Sequence, residues 1–420
     1  MKLSISPSSV GGSVCAIASK SVAHRLLICA AFADNTTLIR CDELSEDISA
    51  TVRCLSSLGA KIVRDAPFYR VTPILELQKN AHLDCGESGS TLRFLVPLTC
   101  MLGADASFVM AGRLPERPLS PLREELERGG IVFSDIGSNP LMCRGSLNTR
   151  DFTISGSVSS QFISGLLFAL AISGKGGSIR IDGRLESVSY LSLTVDALRQ
   201  FGAKIEQTDT LFSVAPNSGL SSPREVSVEG DWSNAAFPLC MGAIGKHPIT
   251  VTGLLGTSHQ GDRAIVDLLL RFGAKVTLCA DECTVSPAPL HGIEIDASQI
   301  PDLVPVLAVV AALAEGKTII KNASRLRIKE SDRLKTTTAL LTSLGATITE
   351  TEDGLSIEGV SRLVGGSVSS FCDHRIAMSA AVASLACASS VVLDGAESVA
   401  KSYPDFWRDM KSLGMNICEL

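Results

Sequence analysis

Two kinds of apolar pattern alternate along the chain. The first is an amphipathic run ending in Leu or Phe, then a glycine, then a short stretch of alternating apolar and polar residues. It occurs as SLGAKIV, ERGGIVF, QFGAKIE, RFGAKVT, SLGATIT and SLGMNIC, with Gly59, Gly129, Gly202, Gly273, Gly345 and Gly414 spaced 69–73 residues apart. A glycine directly after a helix takes the left-handed conformation that closes it, and the alternation that follows predicts a strand. The second pattern is a run of small apolar residues opening on polar ones, as in SSQFISGLLFALAIS and DHRIAMSAAVASLA. Its openings fall at Ser21, Ser88, Ser159, Ser233, Asp302 and His374, again once per repeat. Runs apolar nearly all round predict buried helices, and their polar openings predict N-caps. A period of this length is a whole supersecondary unit. The pattern predicts an α/β chain of six βαβαββ-type repeats, three per domain, with the most loop-like stretch (NSGLSSPRE, 217–225) near the middle.

Composition narrows the chemistry. Hydrophobic residues make up 45% of the 420 and aromatics only 5%, so the core is built from Ala, Val, Ile and Leu. A net charge of −6 excludes bulk attraction to nucleic acid or an anionic membrane, and any anion site must be local. Thirteen cysteines without paired spacing suit small buried hydrophobes in a reducing cytoplasm, and Cys279 and Cys283 lack a histidine at ligand spacing, so no metal is expected. The opening MKLSISPSS has no signal-peptide core, and the apolar run 376–393 reads as a buried helix followed by a strand rather than a membrane span. A cytoplasmic, soluble protein is expected.

The chemistry gathers where the buried helices begin. A helix N-terminus stabilises a nearby anion by about 0.3–2 kcal/mol. Lys20, Arg25, Arg93 and Arg375 stand at these openings, and Arg117, Lys329, Arg333 and Lys401 in the connecting turns. Eight cations at equivalent places point to polyanionic ligands. The densest stretch is RLRIKESDRLK (325–335), where Lys329 and Arg333 on one helix face would repel unless an anion lies between them. Asp302, Glu330, Asp373 and His374 add groups able to move protons. No P-loop, GxGxxG, HExxH or GxSxG motif is present; Gly316-Lys317-Thr318 has Ala311 where a P-loop needs glycine. These residues alone support transfer chemistry on small, multiply anionic substrates.

The motifs SKSVAHR (19–25), DCGESGSTLRF (84–94), GRLPERPL (112–119), SGSVSSQF (155–162), IPD (300–302), RIKESDR (327–333), DHRIAM (373–378) and AKSYPDF (400–406) run the length of the chain. With them the chain closely resembles the 5-enolpyruvylshikimate-3-phosphate synthases of the shikimate pathway. The resemblance implies the two-domain enolpyruvyl transferase fold, inside-out and α/β barrel-like. It also implies that residues 1–18 join 229–420 in a discontinuous domain on the phosphoenolpyruvate side. Residues 19–228 would form the shikimate 3-phosphate side, with the site in the cleft between the two. Shikimate 3-phosphate would be held by Lys20, Ser21, Arg25, Ser159, Ser160, Gln161, Ser187, Tyr190, Asp302 and Lys329. Phosphoenolpyruvate would be held by Lys20, Gly89, Arg117, Gln161, Arg333, Arg375 and Lys401. Asp302, Glu330, Lys20 and His374 would be catalytic, without metal or organic cofactor, in a monomer. Gly89 would leave room for glyphosate. Arg325, Glu87 and Phe94 depart from residues found in other members.

Two other readings stand beside this one. UDP-N-acetylglucosamine enolpyruvyl transferases share fold and donor, but they carry a loop cysteine that 111–118 (AGRLPERP) lacks. A non-enzymatic anion-binding scaffold leaves Asp302 and Glu330 unexplained, since both weaken anion binding.

Overall fold

The computed structural model describes residues 1–42, 45–217 and 219–420; residue 218, in the loop expected at 217–225, lies outside the described residues. Among the described residues there are twelve α-helices. They are α1 (Lys20–Ala31), α2 (Glu46–Ser57), α3 (Gly89–Leu102), α4 (Leu122–Arg128), α5 (Ser160–Ile172), α6 (Val188–Gln200), α7 (Trp232–Ile244), α8 (Ile265–Phe272), α9 (Val304–Ala311), α10 (Arg333–Ser343), α11 (His374–Ser384) and α12 (Phe406–Ser412). The odd-numbered helices are the small-residue apolar runs, buried over most of their length. The even-numbered ones end at the repeated glycines. Gly59, Gly202, Gly273, Gly345 and Gly414 have φ between 87° and 115°, while in the second repeat Gly130 (φ 100°), one residue beyond Gly129, takes the left-handed turn.

Polar openings cap four of the six buried helices. Ser88, Ser159, Asp231 and Asp373 accept hydrogen bonds from first-turn amides of α3, α5, α7 and α11. Helix α1 has no side-chain cap at Ser19, and α9 is entered through a 3-10 turn at Pro301–Leu303.

Among the described residues the strands form six four-stranded sheets of one design. Asp151–Ser155 runs parallel to Gly177–Asp182, with α5 as the crossover between them. After α6, the hairpin of Ile205–Gln207 and Leu211–Val214 adds antiparallel to the second strand. The register Phe152↔Ile179 and Ile179↔Phe212 lines up buried residues on one face. Three sheets borrow strands from far along the chain. Glu225–Ser227 pairs with Thr37–Arg40, Gly12–Cys15 with Ile249–Thr252, and Lys2–Ser6 lies between Val391–Asp394 and Asn416–Glu419.

These borrowed strands set the chain's division. One compact unit comprises Met1–Ile17 with Glu229–Leu420, the other Ala18–Val228, and each has its own hydrophobic core. The run 376–393 resolves into α11 and the strand Val391–Asp394. Among the described residues no helix is long and apolar enough to cross a membrane.

In the unit Ala18–Val228, α3 and α5 touch backbone to side chain at Gly165. A Cβ there would lie 2.3 Å from the Arg93 carbonyl oxygen and 2.7 Å from Pro97 Cγ. Only glycine permits this approach, and it sets Gln161, one turn earlier, against Arg93. Gly165→Val is expected to destabilise this unit by about 1–3 kcal/mol, the usual range for overpacking, seen as a lower urea midpoint; an unchanged midpoint would show that the helices can separate freely.

Candidate functional site

In the unit Met1–Ile17/Glu229–Leu420, charged side chains converge where α7, α9, α10 and α11 begin. Arg333 is the first residue of α10, which Asp332 caps, and its side chain is 1% exposed. Nε and Nη2 donate to Asp373 Oδ2 and Oδ1 at 2.8 and 3.2 Å, Nη2 also to Glu330 Oε2 at 2.8 Å, and Nη1 to Asp302 Oδ1 at 2.7 Å. Burial disfavours its charge, yet Asp373, Glu330 and Asp302 outweigh that and hold its pKa above the ordinary value.

Asp302 sits in the 3-10 turn before α9, with Lys329 Nζ at 3.6 Å and Arg375 Nη2 at 3.7 Å. Burial pushes its pKa up, but Lys329, Arg375 and Arg333 prevail and hold the carboxyl well below the usual range. Lys329 is pulled below the ordinary lysine value, chiefly by burial and further by Arg333 and Arg325, against the opposing pull of Asp302 and Glu330. Lys329 ends a 3-10 turn (Ser324–Ile328) in extended backbone, so it does not share a helix face with Arg333; carboxylates, rather than helix spacing, bring the two together.

Asp373 ties the cluster to α11. Its carboxylate also accepts from the Arg375 amide and from Ser331 Oγ, each at 2.9 Å. His374 is the buried first residue of α11, with Nδ1 3.8 Å from Asp373. Arg375 donates from Nη1 to the Ser233 carbonyl at the start of α7, at 3.2 Å. Lys401 is buried at the end of the 3-10 turn Ala396–Lys401. Arg325 donates to the Ser298 carbonyl at 2.9 Å.

In the unit Ala18–Val228 the expected residues form two groups. Lys20, the first residue of α1, pairs with Asp47 in the first turn of α2 at 2.9 Å. Arg25 is buried and donates to the Ser21 and Tyr190 carbonyls and to Thr194 Oγ1 at 2.7–2.8 Å. It thereby binds α1 to α6, which opens at Ser187 in left-handed backbone (φ 54°). Burial lowers the Arg25 pKa to about 10.

The second group lies where α3 and α5 begin. Gln161 accepts from Arg93 at 3.2 Å and donates to Ser90 Oγ at 2.8 Å, which fixes its amide. Ser159 caps α5 and Ser160 is its first residue. Arg93 and Arg117 crowd Gly89: a Cβ there would lie 2.5 Å from Arg93 Nη1 and 3.0 Å from Arg117 Nη1.

One contributor carried little sequence signal: Asp47 reads as an ordinary acidic residue opening a helix, and only the fold shows that it grips Lys20. Asp373, a candidate proton-moving group in the sequence, is also the cap of α11 and a partner of Arg333. The unit holding Asp302 sets three cations (Lys329, Arg333, Arg375) against three carboxylates (Asp302, Glu330, Asp373). Arg333 is tied to all three carboxylates at close range, whereas Lys329 and Arg375 stand 3.6 and 3.7 Å from Asp302 and are the cations able to pair with an incoming anion.

The chain matches the family profile of EPSP synthase (3-phosphoshikimate 1-carboxyvinyltransferase) over residues 5–410. A 3-phosphoshikimate 1-carboxyvinyltransferase of Clostridium kluyveri is 42% identical over 99% of this chain and 98% of its own. One of Clostridioides difficile is 40% identical over 99% and 98%. Among solved structures, an EPSP synthase of Acinetobacter baumannii shares the fold with a TM-score of 0.82 at 24% identity, covering all of both chains. The enolpyruvyl transferase NikO of Streptomyces tendae does so at 0.77 and 19%, over 99% and 98%. With the six-sheet architecture and the matched motifs in place, this chain belongs to the EPSP synthase (3-phosphoshikimate 1-carboxyvinyltransferase) family.

Proposed function

We propose that the protein transfers the enolpyruvyl (1-carboxyvinyl) group of phosphoenolpyruvate to the 5-hydroxyl of shikimate 3-phosphate and releases inorganic phosphate. The observation that carries the reading is Asp302, a carboxylate held among Arg333, Lys329 and Arg375. A base surrounded by cations suits a reaction whose two substrates bear phosphate and carboxylate groups and whose nucleophile is a hydroxyl. The same reading has a cytoplasmic monomer acting on two small molecules with no cofactor.

The steps are those the family resemblance implies. A proton is added to C3 of phosphoenolpyruvate, leaving a cationic C2. The 5-hydroxyl oxygen attacks C2 while its proton passes to Asp302. The tetrahedral intermediate loses phosphate as C3 gives its proton back, with Lys20, Glu330 and His374 as the carriers near C3. Lys20, Gly89, Arg117, Gln161, Arg333, Arg375 and Lys401 take phosphoenolpyruvate. Ser21, Arg25, Ser159, Ser160, Gln161, Ser187, Tyr190 and Lys329 take or position shikimate 3-phosphate, joined by Lys20 and Asp302. Charge developing on the departing phosphate meets donors already oriented, which is where electrostatic catalysis is strongest.

Resting Asp302 is a weak base, because cations hold its pKa down. An anionic substrate that pairs with Lys329 and Arg375 draws both cations from Asp302 and raises its affinity for a proton. Binding and activation of the base are thus one event.

Phosphate release from phosphoenolpyruvate is expected with shikimate 3-phosphate and not with UDP-N-acetylglucosamine; the reverse pattern would replace the acceptor. Lys20→Ala and Asp302→Ala should each lower kcat about a hundredfold or more, as loss of an acid–base group does, and near-normal turnover in steady-state assays would remove that residue from the mechanism. Gly89→Ala pushes on Arg93 and Arg117 and should raise both the phosphoenolpyruvate KM and the glyphosate inhibition constant about tenfold or more. Unchanged constants would detach this helix start from the donor site.

A further inference from the structure

Asp262 is a buried acid that the steps above leave unused. It lies in the 3-10 turn Gly261–Ala264, 1% exposed, and accepts a hydrogen bond from Ser233 Oγ at the start of α7. The turn is held firmly against that helix. Gln260 Nε2 donates to Glu229 Oε1 and the Gly230 carbonyl, each at 2.8 Å, and its Oε1 accepts from the Trp232 amide at 3.2 Å. Ser233 in turn offers its carbonyl to Arg375 Nη1 at 3.2 Å, and Arg375 Nη2 stands 3.7 Å from Asp302. A continuous path, Asp262–Ser233–Arg375–Asp302, therefore links the unused acid to the proposed base.

A buried carboxylate costs several kcal/mol unless cations and donors compensate it. Packing alone would be served better by an apolar residue, so this position invites a role for its charge. The charged groups acting on Asp262 are Asp302, Arg375 and Asp231, the last being the cap of α7. The cation is shared: negative charge on Asp262 draws on Arg375 and repels Asp302.

We propose that Asp262 is a positioning residue for the transfer reaction, holding the Ser233–Arg375 contact in place and, by its charge, keeping Asp302 basic enough to take the hydroxyl proton. The inference rests on the carboxyvinyl-transfer reading given above. Burial, then repulsion from Asp302, push the Asp262 pKa up to about 6, while Arg375 and Ser233 pull the other way. Asp262 is thus ionised at neutral pH and loses its charge as the pH falls through that value. Once it is protonated, Arg375 acts on Asp302 undiluted and the base weakens.

The test compares kcat and kcat/KM for phosphoenolpyruvate between about pH 5 and pH 9 in the wild type, Asp262→Asn and Ser233→Ala. Asparagine can still accept from Ser233 but carries no charge. Asp262→Asn should lose the acid limb near pH 6 and drop the kcat plateau about tenfold, with a smaller change in KM. Ser233→Ala removes a donor to the ionised carboxylate, so the limb should move to higher pH. A wild-type limb and plateau in Asp262→Asn overturn the inference; if that variant does not fold, an unmoved limb in Ser233→Ala does so. Proton titration of the folded proteins reads the same group without substrate. One proton taken up near pH 6 in the wild type should be missing from Asp262→Asn, and identical curves also overturn the inference. A wild type that titrates this way yet releases no phosphate overturns the substrate assignment alone.

Discussion

Much in the unit Met1–Ile17/Glu229–Leu420 depends on the guanidinium of Arg333. It is buried and donates to Asp302, Glu330 and Asp373, which come from three separate segments of the chain. A buried cation with three carboxylate partners must keep them, because removing one leaves an uncompensated charge in a dry site at a cost of several kcal/mol. The requirement fixes where the turn before α9, the turn before α10 and the start of α11 stand relative to one another. It is also directional: Arg presents its donors in a rigid plane, and lysine could not span the same three groups.

The repeat explains why so many charges arrive at such places. An apolar helix buried by its neighbours must leave its N-terminal amides somewhere, and the available partners are cap side chains or an anion. In both units these helix starts carry the polar openings: Ser88, Ser159, Asp231 and Asp373 cap α3, α5, α7 and α11, and Lys20 and Arg375 stand in the first turns of α1 and α11. Close approach of α3 and α5 at Gly165 and the cap at Ser159 thus act on one residue, Gln161, from both sides.

Much of this was legible in the sequence, because periodicity is a local property. The glycines that close even-numbered helices and the apolar runs of the odd-numbered ones can be counted without knowing what packs on what. Gly129 shows the resolution of that reading: in ERGGIVF two glycines compete, and only backbone geometry assigns the left-handed turn to Gly130. The exchange of terminal strands could not be counted. Lys2–Ser6 and Gly12–Cys15 look like any first strands, and their pairing with strands hundreds of residues away is decided by closure of each unit. At the site, residue types told which groups were cations but not which were already matched. Lys329 and Arg333 look like repelling neighbours in RIKESDR. They stand together because Asp302, far away in the chain, lies beside both.

That matching resolves an apparent conflict between a net charge of −6 and a site for polyanions. An unmatched cluster of cations would be expensive to fold and would hold any phosphate indiscriminately. Here Lys329 and Arg375 stand beside Asp302, and a ligand with suitably spaced anionic groups can pair with both, so binding favours ligands that satisfy several cations at once. In the proposed reaction the carboxylate so relieved, Asp302, is the group that takes the proton. A binding site built only of cations could not couple recognition to catalysis in this way, and the carboxylates that weaken resting anion affinity are what make the coupling possible.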